Sequence, residues 1–523
     1  MQIPLALLLG ASPIAAQDPP AVLVPNNVIV IVADDVGVDM IGAYDDLYAN
    51  HPDPDYPNTT PAINYLAETG ILFTNCWSNP ACSPTRAQLL TGRHALHSGI
   101  GKIVNPNVVT DGMGLQQDIP TIPSMLRNAS LPFPYHSAAL GKWHLADGER
   151  HPPAPGLPPH PLGSDTVDWF DQYAGSMHNL GGIQTYNKWT KTFATTIAPG
   201  TDECVPPAGS FCEAIVIDYA TEDTADDAIL LSEKLQEPYF LYVAFNAAHT
   251  PLDAPLEDLT PASCFGIQGE VDCKTTDGND IPKDTRCLAQ WLDNEIGRLI
   301  CSLESPDSEI QFPTTVVFIG DNGTRRAAAV GPFADTPGKG SVYQAGINVP
   351  FIIKSDFTPP TARGSVNDAL VCATDFLASM SSLSGAALPD DPFGLLESVS
   401  FAPYIFGAQG SLRDFVYAEN FKQNFDPTDD GQPPVGYELD KHRRAIRDVA
   451  GYKLHQRVER SDCGGGMMSG DCELTIVEEL YFLVDDPHEQ NDIIALKDQP
   501  PVKDHYDYLR GLLDTKFPHL VTE

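Results

Sequence analysis

The sequence predicts an α/β fold: a large mixed, mainly parallel sheet flanked by helices, with a smaller C-terminal α+β domain built on an antiparallel sheet. Three observations carry that reading. Short β-branched or aromatic runs alternate with helix-like stretches, most of these runs are apolar throughout, and the chain ends in closely spaced strand-like runs. The main runs are residues 28–32, 135–140, 239–245 and 315–319. The first, third and fourth are nearly all apolar, as strands buried on both faces should be. Helical patterns fall between them at 60–68, 221–234 and 286–303, and such alternation gives a parallel sheet.

Each run delivers polar residues at its C-terminal end, the edge where open α/β sheets form their sites. Asp34-Asp35 follow the first, Gly141-Lys142-Trp143-His144 the second, Asn246-Ala247-Ala248-His249 the third and Gly320-Asp321-Asn322-Gly323 the fourth. Residues 145–210 are rich in Pro, Gly and His and predict a long surface excursion. The Pro/Asp-rich step Leu388-Pro389-Asp390-Asp391-Pro392 ends the main core. Runs at 444–454 and 474–484 then read as antiparallel, and a helix at about 501–515 closes the chain. The expected division is a signal peptide at 1–17, a catalytic domain at 18–409 and a C-terminal α+β subdomain at 410–523.

The chain has 523 residues, 42% of them hydrophobic, which is ordinary for a folded protein. Its 31 Lys+Arg stand against 70 Asp+Glu, a net charge of −39. Such a surface repels nucleic acid and anionic membranes, so neither is an expected partner. Residues 3–16 are apolar and end in small residues, like the core and cleavage region of a signal peptide, so a soluble product is expected in a secreted or lumenal location. Cysteine spacing agrees with an oxidising compartment. Of 11 cysteines, Cys204 with Cys212, Cys264 with Cys273 and Cys463 with Cys472 are spaced for short disulfide loops. Cys76, Cys287, Cys301 and Cys372 have no readable pairing, and Cys82 is left over. Asn58-Thr59-Thr60 and Asn128-Ala129-Ser130 fit N-glycosylation acceptors.

Cys82-Ser83-Pro84-Thr85-Arg86 places a good N-cap and a proline before the helical Ala87-Gln88-Leu89-Leu90, with Gly92 as the stop. Cys82 then lies just ahead of a helix N-terminus, which favours an anion, with Arg86 adding a positive fork. A disulfide cysteine before a capped helix fits the same pattern. Asp34, Asp35, Asp321 and Asn322 offer four oxygen-bearing side chains at strand ends, a set that suits a hard cation such as calcium or magnesium. Lys142, His144, His249 and Lys339, the last in Pro337-Gly338-Lys339-Gly340, bring basic groups to the same kind of position.

Taken in order, these segments resemble the type I sulfatases of the alkaline phosphatase superfamily. Cys82-Ser83-Pro84-Thr85-Arg86 with Leu90-Thr91-Gly92-Arg93 is similar to the family's first signature, and Gly141-Lys142-Trp143-His144 to its second. Val32-Ala33-Asp34-Asp35, Ala248-His249-Thr250-Pro251, Gly320-Asp321-Asn322-Gly323 and Gly338-Lys339-Gly340 follow in the family's order. Arg447-Asp448 through Tyr452-Lys453-Leu454, and Glu479-Leu480-Tyr481-Phe482-Leu483 with Asp485-Asp486-Pro487, resemble its C-terminal strands.

The resemblance implies that a formylglycine-generating enzyme converts Cys82 to formylglycine, whose hydrate is the nucleophile. It implies one calcium ion held by Asp34, Asp35, Asp321, Asn322 and the modified residue 82. Arg86 would support the nucleophile, while Lys142, Lys339 and His249 would bind the sulfate. His249 would protonate the leaving alcohol, and His144 would assist collapse of the sulfated hydrate. The expected substrate is a small sulfate ester, an aryl sulfate or a sulfated sugar. The alternative is a formylglycine-dependent phosphonate monoester or phosphodiester hydrolase. Where many relatives carry Glu-Gly-Gly and then Arg-Val-Pro, this chain has Gln344-Ala345-Gly346 and Asn348-Val349-Pro350. That difference reads as a supporting ion pair exchanged for neutral polar groups.

Overall fold

The structure, a computed structural model, describes residues 24–48, 56–105, 113–116, 118–146, 170–195, 211–256, 260, 262–265, 276, 278–425, 427, 442–460 and 474–517. Among the described residues ten strands form one sheet: β1 (Asn27–Ala33), β2 (Ile71–Trp77), β3 (His136–Gly141), β4 (Gln172–Gly175), β5 (Trp189–Thr195), β6 (Phe211–Val216), β7 (Tyr239–Ala244), β8 (Thr314–Gly320), β9 (Phe351–Ser355) and β10 (Ser365–Cys372). Their order is β10-β2-β9-β8-β1-β7-β3-β4-β5-β6. From β8 to β4 all neighbours are parallel, while β9 and β5 run against theirs. A second, antiparallel sheet holds β11 (Phe415–Asn420), β12 (Arg443–Asp448), β13 (Tyr452–Arg460) and β14 (Leu474–Phe482) in sequence order. The large mixed sheet and the smaller antiparallel one match the expected architecture.

β1 explains why the centre of the large sheet is so apolar. Val28, Val30 and Val32 enter one core and Ile29, Ile31 and Ala33 the other, because successive side chains point to opposite faces. The helices are α1 (Pro61–Thr69), α2 (Cys82–Thr91), α3 (Ala95–Ser98), α4 (Ile122–Asn128), α5 (Ala220–Lys234), α6 (Ile281–Leu303), α7 (Gln344–Ile347), α8 (Phe376–Ser384), α9 (Ala402–Ile405) and α10 (Val502–Lys516). α1, α5 and α6 fill the second core, and α2, α4 and α8 the first. α6 starts earlier than its apolar pattern suggests. Asp280 caps it by accepting from Lys283 N (3.2 Å), and Pro282 sits in its first turn. The small sheet packs α10 through Ile446, Leu454, Leu480, Leu509 and Leu513. It meets the large sheet through Val416, Ala418 and Ala445 against Trp77, Ile347 and Cys372.

Several local expectations change. Within 145–210 the described residues hold β4 and β5, and β6 follows directly, so this stretch extends the sheet. Cys264 is bonded to Cys301, not to Cys273, because the long α6 returns Cys301 to the segment before it, with Cα atoms 5.8 Å apart. Cys212 and Cys287 are also disulfide-bonded, whereas Cys76, Cys82 and Cys372 are buried free thiols. The signal-peptide segment, Cys204, Cys273, Cys463 and Cys472 lie outside the described residues. Asn58 uses its amide on Asp39 O (3.1 Å) and Asp45 Oδ1 (2.7 Å), while Asn128 is exposed at the end of α4. No helix among the described residues is long and apolar enough to cross a membrane.

The Cys264–Cys301 bridge closes a span of 37 residues. Loop-closure entropy for that length gives an expected loss of about 3–4 kcal/mol in Cys264→Ser, read as a lower denaturation midpoint.

Candidate active site

Register brings the polar strand ends to one edge. Ala33 pairs with Gly320, Val32 with Ala244 and Ala244 with Gly141, so Asp34, Asp321 and Lys142 all begin just beyond the last paired residues of adjacent parallel strands. Backbone bonds then lock the turns together. Asp34 N donates to Ala247 O (3.0 Å), Ala248 N to Asp34 O (2.7 Å), Asp321 N to Ala33 O (2.9 Å) and Lys142 N to Ala244 O (2.7 Å).

α2 supplies Cys82 and Arg86 from the first-core side, and every residue of this helix is buried. Gly92 ends it in the left-handed conformation, with its N–H on Gln88 O, as expected. The start differs from the sequence reading. Ala81 is the N-cap position and Cys82 is the first helical residue. Ser83 does not cap the helix. Its hydroxyl donates to His144 O (2.8 Å) and accepts from Val104 N (3.0 Å), tying the turn that carries Cys82 to the one that carries His144.

All ten predicted site residues meet in this region. Cys82 Sγ lies 3.3 Å from Asp34 Oδ1 and 3.2 Å from Lys339 Nζ. Lys142 Nζ pairs with Asp34 Oδ2, and Lys339 Nζ with Asp35 Oδ1. Arg86 places Nε (3.2 Å) and Nη2 (2.8 Å) on Asp321 Oδ2 and Nη1 on Lys142 O (2.8 Å). Asn322 Nδ2 donates to Asp35 Oδ1 (2.9 Å), and Asp35 N to Asp321 Oδ1 (3.2 Å). His249 Nδ1 faces Thr250 O at 2.6 Å, which leaves Nε2 turned toward Asp35 Oδ2 at 4.0 Å. Asp35 and His144 both have left-handed backbone (φ 61° and 60°), the kind of local strain that surroundings must over-determine.

Atoms of Asp34, Asp35, Cys82 and His249 all lie within 4.8 Å of one another, close enough to hold a cation. Two further observations fit an ion here. Asp35 Oδ2 and Asn322 Oδ1 are buried without a hydrogen-bond partner among the described residues, a costly arrangement unless something else meets them. Asp321 is placed differently: one oxygen takes the Arg86 fork and the other takes Asp35 N.

Burial would raise the Asp34 carboxyl, but Lys142, His249, Arg86 and Lys339 hold it well below the usual range. Burial and then the Asp34 charge push Asp321 up to about 6 against the pull of Arg86. Burial, reinforced by Asp321 and Asp34, pushes the Cys82 thiol well up, so it stays protonated and is a poor nucleophile. Burial, together with Lys142, His178 and Arg86, drives His144 well below its usual value and keeps its imidazole neutral. His249 is lowered by burial despite the opposing Asp34 and Asp35 charges.

Sequence reasoning missed His178, whose ring centroid is 6.4 Å from that of His144. Burial and then Lys142 lower it to about 4, and both His144 Nδ1 and His178 Nδ1 are without a partner among the described residues. The neutral Gln344, read as standing in for a charged group, lies beside a buried cation. Gln344 Oε1 faces the buried Lys453 Nζ at 3.4 Å, and a charged partner, Glu489, lies 2.7 Å from the same ammonium.

A family model described as Sulfatase matches residues 26–386. The chain is 26% identical to dog (Canis lupus familiaris) N-acetylgalactosamine-6-sulfatase over 441 residues, covering 79% of this chain and 72% of that protein. It is 27% identical to human arylsulfatase A over 419 residues, covering 76% and 71%. Among solved structures, Ps i-CgsB in complex with k-i-k-neocarrahexaose superposes with a TM-score of 0.63 at 21% identity, covering 95% of each chain. The family match runs from β1 through α8 and takes in every strand end that feeds the site, so the chain belongs to the sulfatase family and is a sulfuric ester hydrolase.

Proposed function

We propose that this chain is a secreted or lumenal, calcium-dependent sulfatase that cleaves sulfate esters of carbohydrates and also accepts aryl sulfates. Its nucleophile is residue 82 after conversion of the thiol to formylglycine by a formylglycine-generating enzyme. The observation that carries the reading is the position of Cys82 Sγ, buried between Asp34 Oδ1 and Lys339 Nζ at the centre of the cluster. A thiol held protonated there has no chemistry to offer. A geminal diol has one hydroxyl to attack sulfur and a second through which to expel sulfate.

The unpartnered Asp35 Oδ2 and Asn322 Oδ1, with Asp34 and Asp321 beside them, form an all-oxygen set that suits calcium. When bound, the ion adds positive charge that offsets the negative charge of the reacting sulfate group. Lys142 and Lys339, whose ammonium groups pair with Asp34 and Asp35 beside residue 82, offer positive charge to the sulfate oxygens. Arg86 acts by holding Asp321 and the Lys142 carbonyl. A carbonyl can only accept, so Thr250 O keeps the proton of neutral His249 on Nδ1. His249 Nε2, once it has taken up a proton from water to form the imidazolium, is the atom that gives that proton to the leaving oxygen. The neutral His144 is suited to take a proton from the hydrate.

The carbohydrate class is supported by the relative named for N-acetylgalactosamine 6-sulfate and by the fold neighbour bound to neocarrahexaose. Secretion is supported by the N-terminal sequence and by the Cys264–Cys301 disulfide.

Mass spectrometry of the peptide that contains residue 82 should show an aldehyde or its hydrate; an intact thiol in active enzyme would sink the mechanism. Cys82→Ala should lower kcat/KM for an aryl sulfate by roughly 10³-fold or more. Matured enzyme should prefer the aryl sulfate over an aryl phosphodiester, and the reverse preference would favour the phosphorus-ester alternative. Chelation with EGTA should abolish turnover and added calcium restore it, while Asn322→Ala should weaken calcium binding in a calorimetric titration by at least about tenfold.

A further inference from the structure

Three non-glycine residues among those described have left-handed backbone: Asp35, His144 and Glu489. Two are in the active site. The third lies after β14, in a segment with no hydrogen bond or ion pair to a predicted site residue among those described, yet its side chain is buried against the start of α7.

We propose that Glu489 is a positioning residue for sulfate ester hydrolysis, the carboxylate that fixes α7 and thereby the segments that carry residue 82 and Asn322. Glu489 Oε1 lies 2.7 Å from Lys453 Nζ and 2.8 Å from His455 Nε2, and Glu489 Oε2 accepts from Gln344 N, the first residue of α7. The side chains of Lys453 and Glu489 are 0% and 1% exposed, so neither charge has water to fall back on. Lys453 Nζ also sits 4.8 Å over the Trp77 ring and 3.4 Å from Gln344 Oε1. The far side of α7 reaches the site directly. Ile347 O accepts from Ser78 N (2.9 Å), on the approach to Cys82, and Gly346 O accepts from Gly323 N (3.0 Å), next to Asn322. Position 344 offers Lys453 an amide, so among the described residues the only carboxylate paired with that ammonium is that of Glu489. A buried ammonium left without its carboxylate is strongly destabilised, and the elements around it shift to relieve it.

This proposal rests on the assignment of residue 82 above, and the test separates the two. Four full-length matured proteins are compared: wild type, Glu489→Gln, Gln344→Glu, and the two substitutions together. Formylglycine content at residue 82, the denaturation midpoint, kcat and KM for an aryl sulfate, and amide hydrogen exchange of peptides covering 76–82 and 344–349 are measured for each. Glu489→Gln should lower kcat by about tenfold or more with KM within about twofold, because the site is displaced with its binding groups intact. It should also speed exchange in both peptides. The double variant, with a carboxylate restored on Lys453 from position 344, should recover most of both. The proposal is overturned if Glu489→Gln keeps kcat within about twofold of wild type. It is also overturned if the double variant matches wild type in midpoint and formylglycine content without recovering kcat. Should Glu489→Gln fail to fold, a folded and active double variant supports the proposal and an unfolded one overturns it. Matured wild type inert toward sulfate esters would reject the sulfatase assignment instead. Exchange then decides alone: rescued protection supports the role of Glu489, and protection unchanged by Glu489→Gln removes it.

Discussion

The Asp34 carboxylate is completely buried, and Lys142 and Arg86 meet it there. That pairing is one of three. Asp321 has Arg86 and Asp35 has Lys339, so each buried acid has a cation of its own. Two unit charges 4 Å apart interact by about 4 kcal/mol at the effective dielectric near a protein surface, and by more as water is excluded. Three acids at one sheet edge would repel one another beyond what folding could tolerate without those cations. The same cations hold Asp34 ionised while Asp321 rises, so negative charge concentrates beside residue 82. Charge matching of this kind makes an oxygen-rich centre compatible with a dry interior.

The parallel core of the sheet makes the matching possible. Because β8, β1, β7 and β3 run side by side in one direction, four separate stretches of sequence end at the same level. Helix α2 and the Lys339 loop close over that edge. The antiparallel sheet contributes from behind, where Val416, Ala418 and Ala445 pack on Trp77 and Ile347. The second sheet supplies no sulfate-binding group among the predicted residues, and its contacts there are packing contacts.

Most of this centre was legible because strand ends advertise themselves. An apolar run followed by Asp-Asp, Lys-x-His or Asp-Asn is a local pattern, and parallel topology brings such patterns together. What escaped was decided by distant partners. Ser83 has the composition of an N-cap, yet its hydroxyl is engaged by His144 O and Val104 N. β4, β5 and β6 are the outer strands at one end of the sheet, and Ile215 on β6 is exposed, so the buried-strand pattern fades there. Cys264 lies nearer to Cys273 in sequence, but α6 brings Cys301 back to it. Glu489 acts on Gln344 across 145 residues, a distance that leaves no local trace.

Residue 82 has no exposed surface once the chain is folded. Lys339, which closes over it, lies 257 residues further along. Any enzyme that alters the thiol must therefore reach it before that later segment docks. At about 5–20 residues per second, synthesis of the intervening chain takes roughly 13–50 s. On the proposed conversion of residue 82, catalytic competence would be set by a race between modification and folding during biosynthesis. Slower elongation past residue 82 would raise the active fraction without changing a single contact in the finished protein.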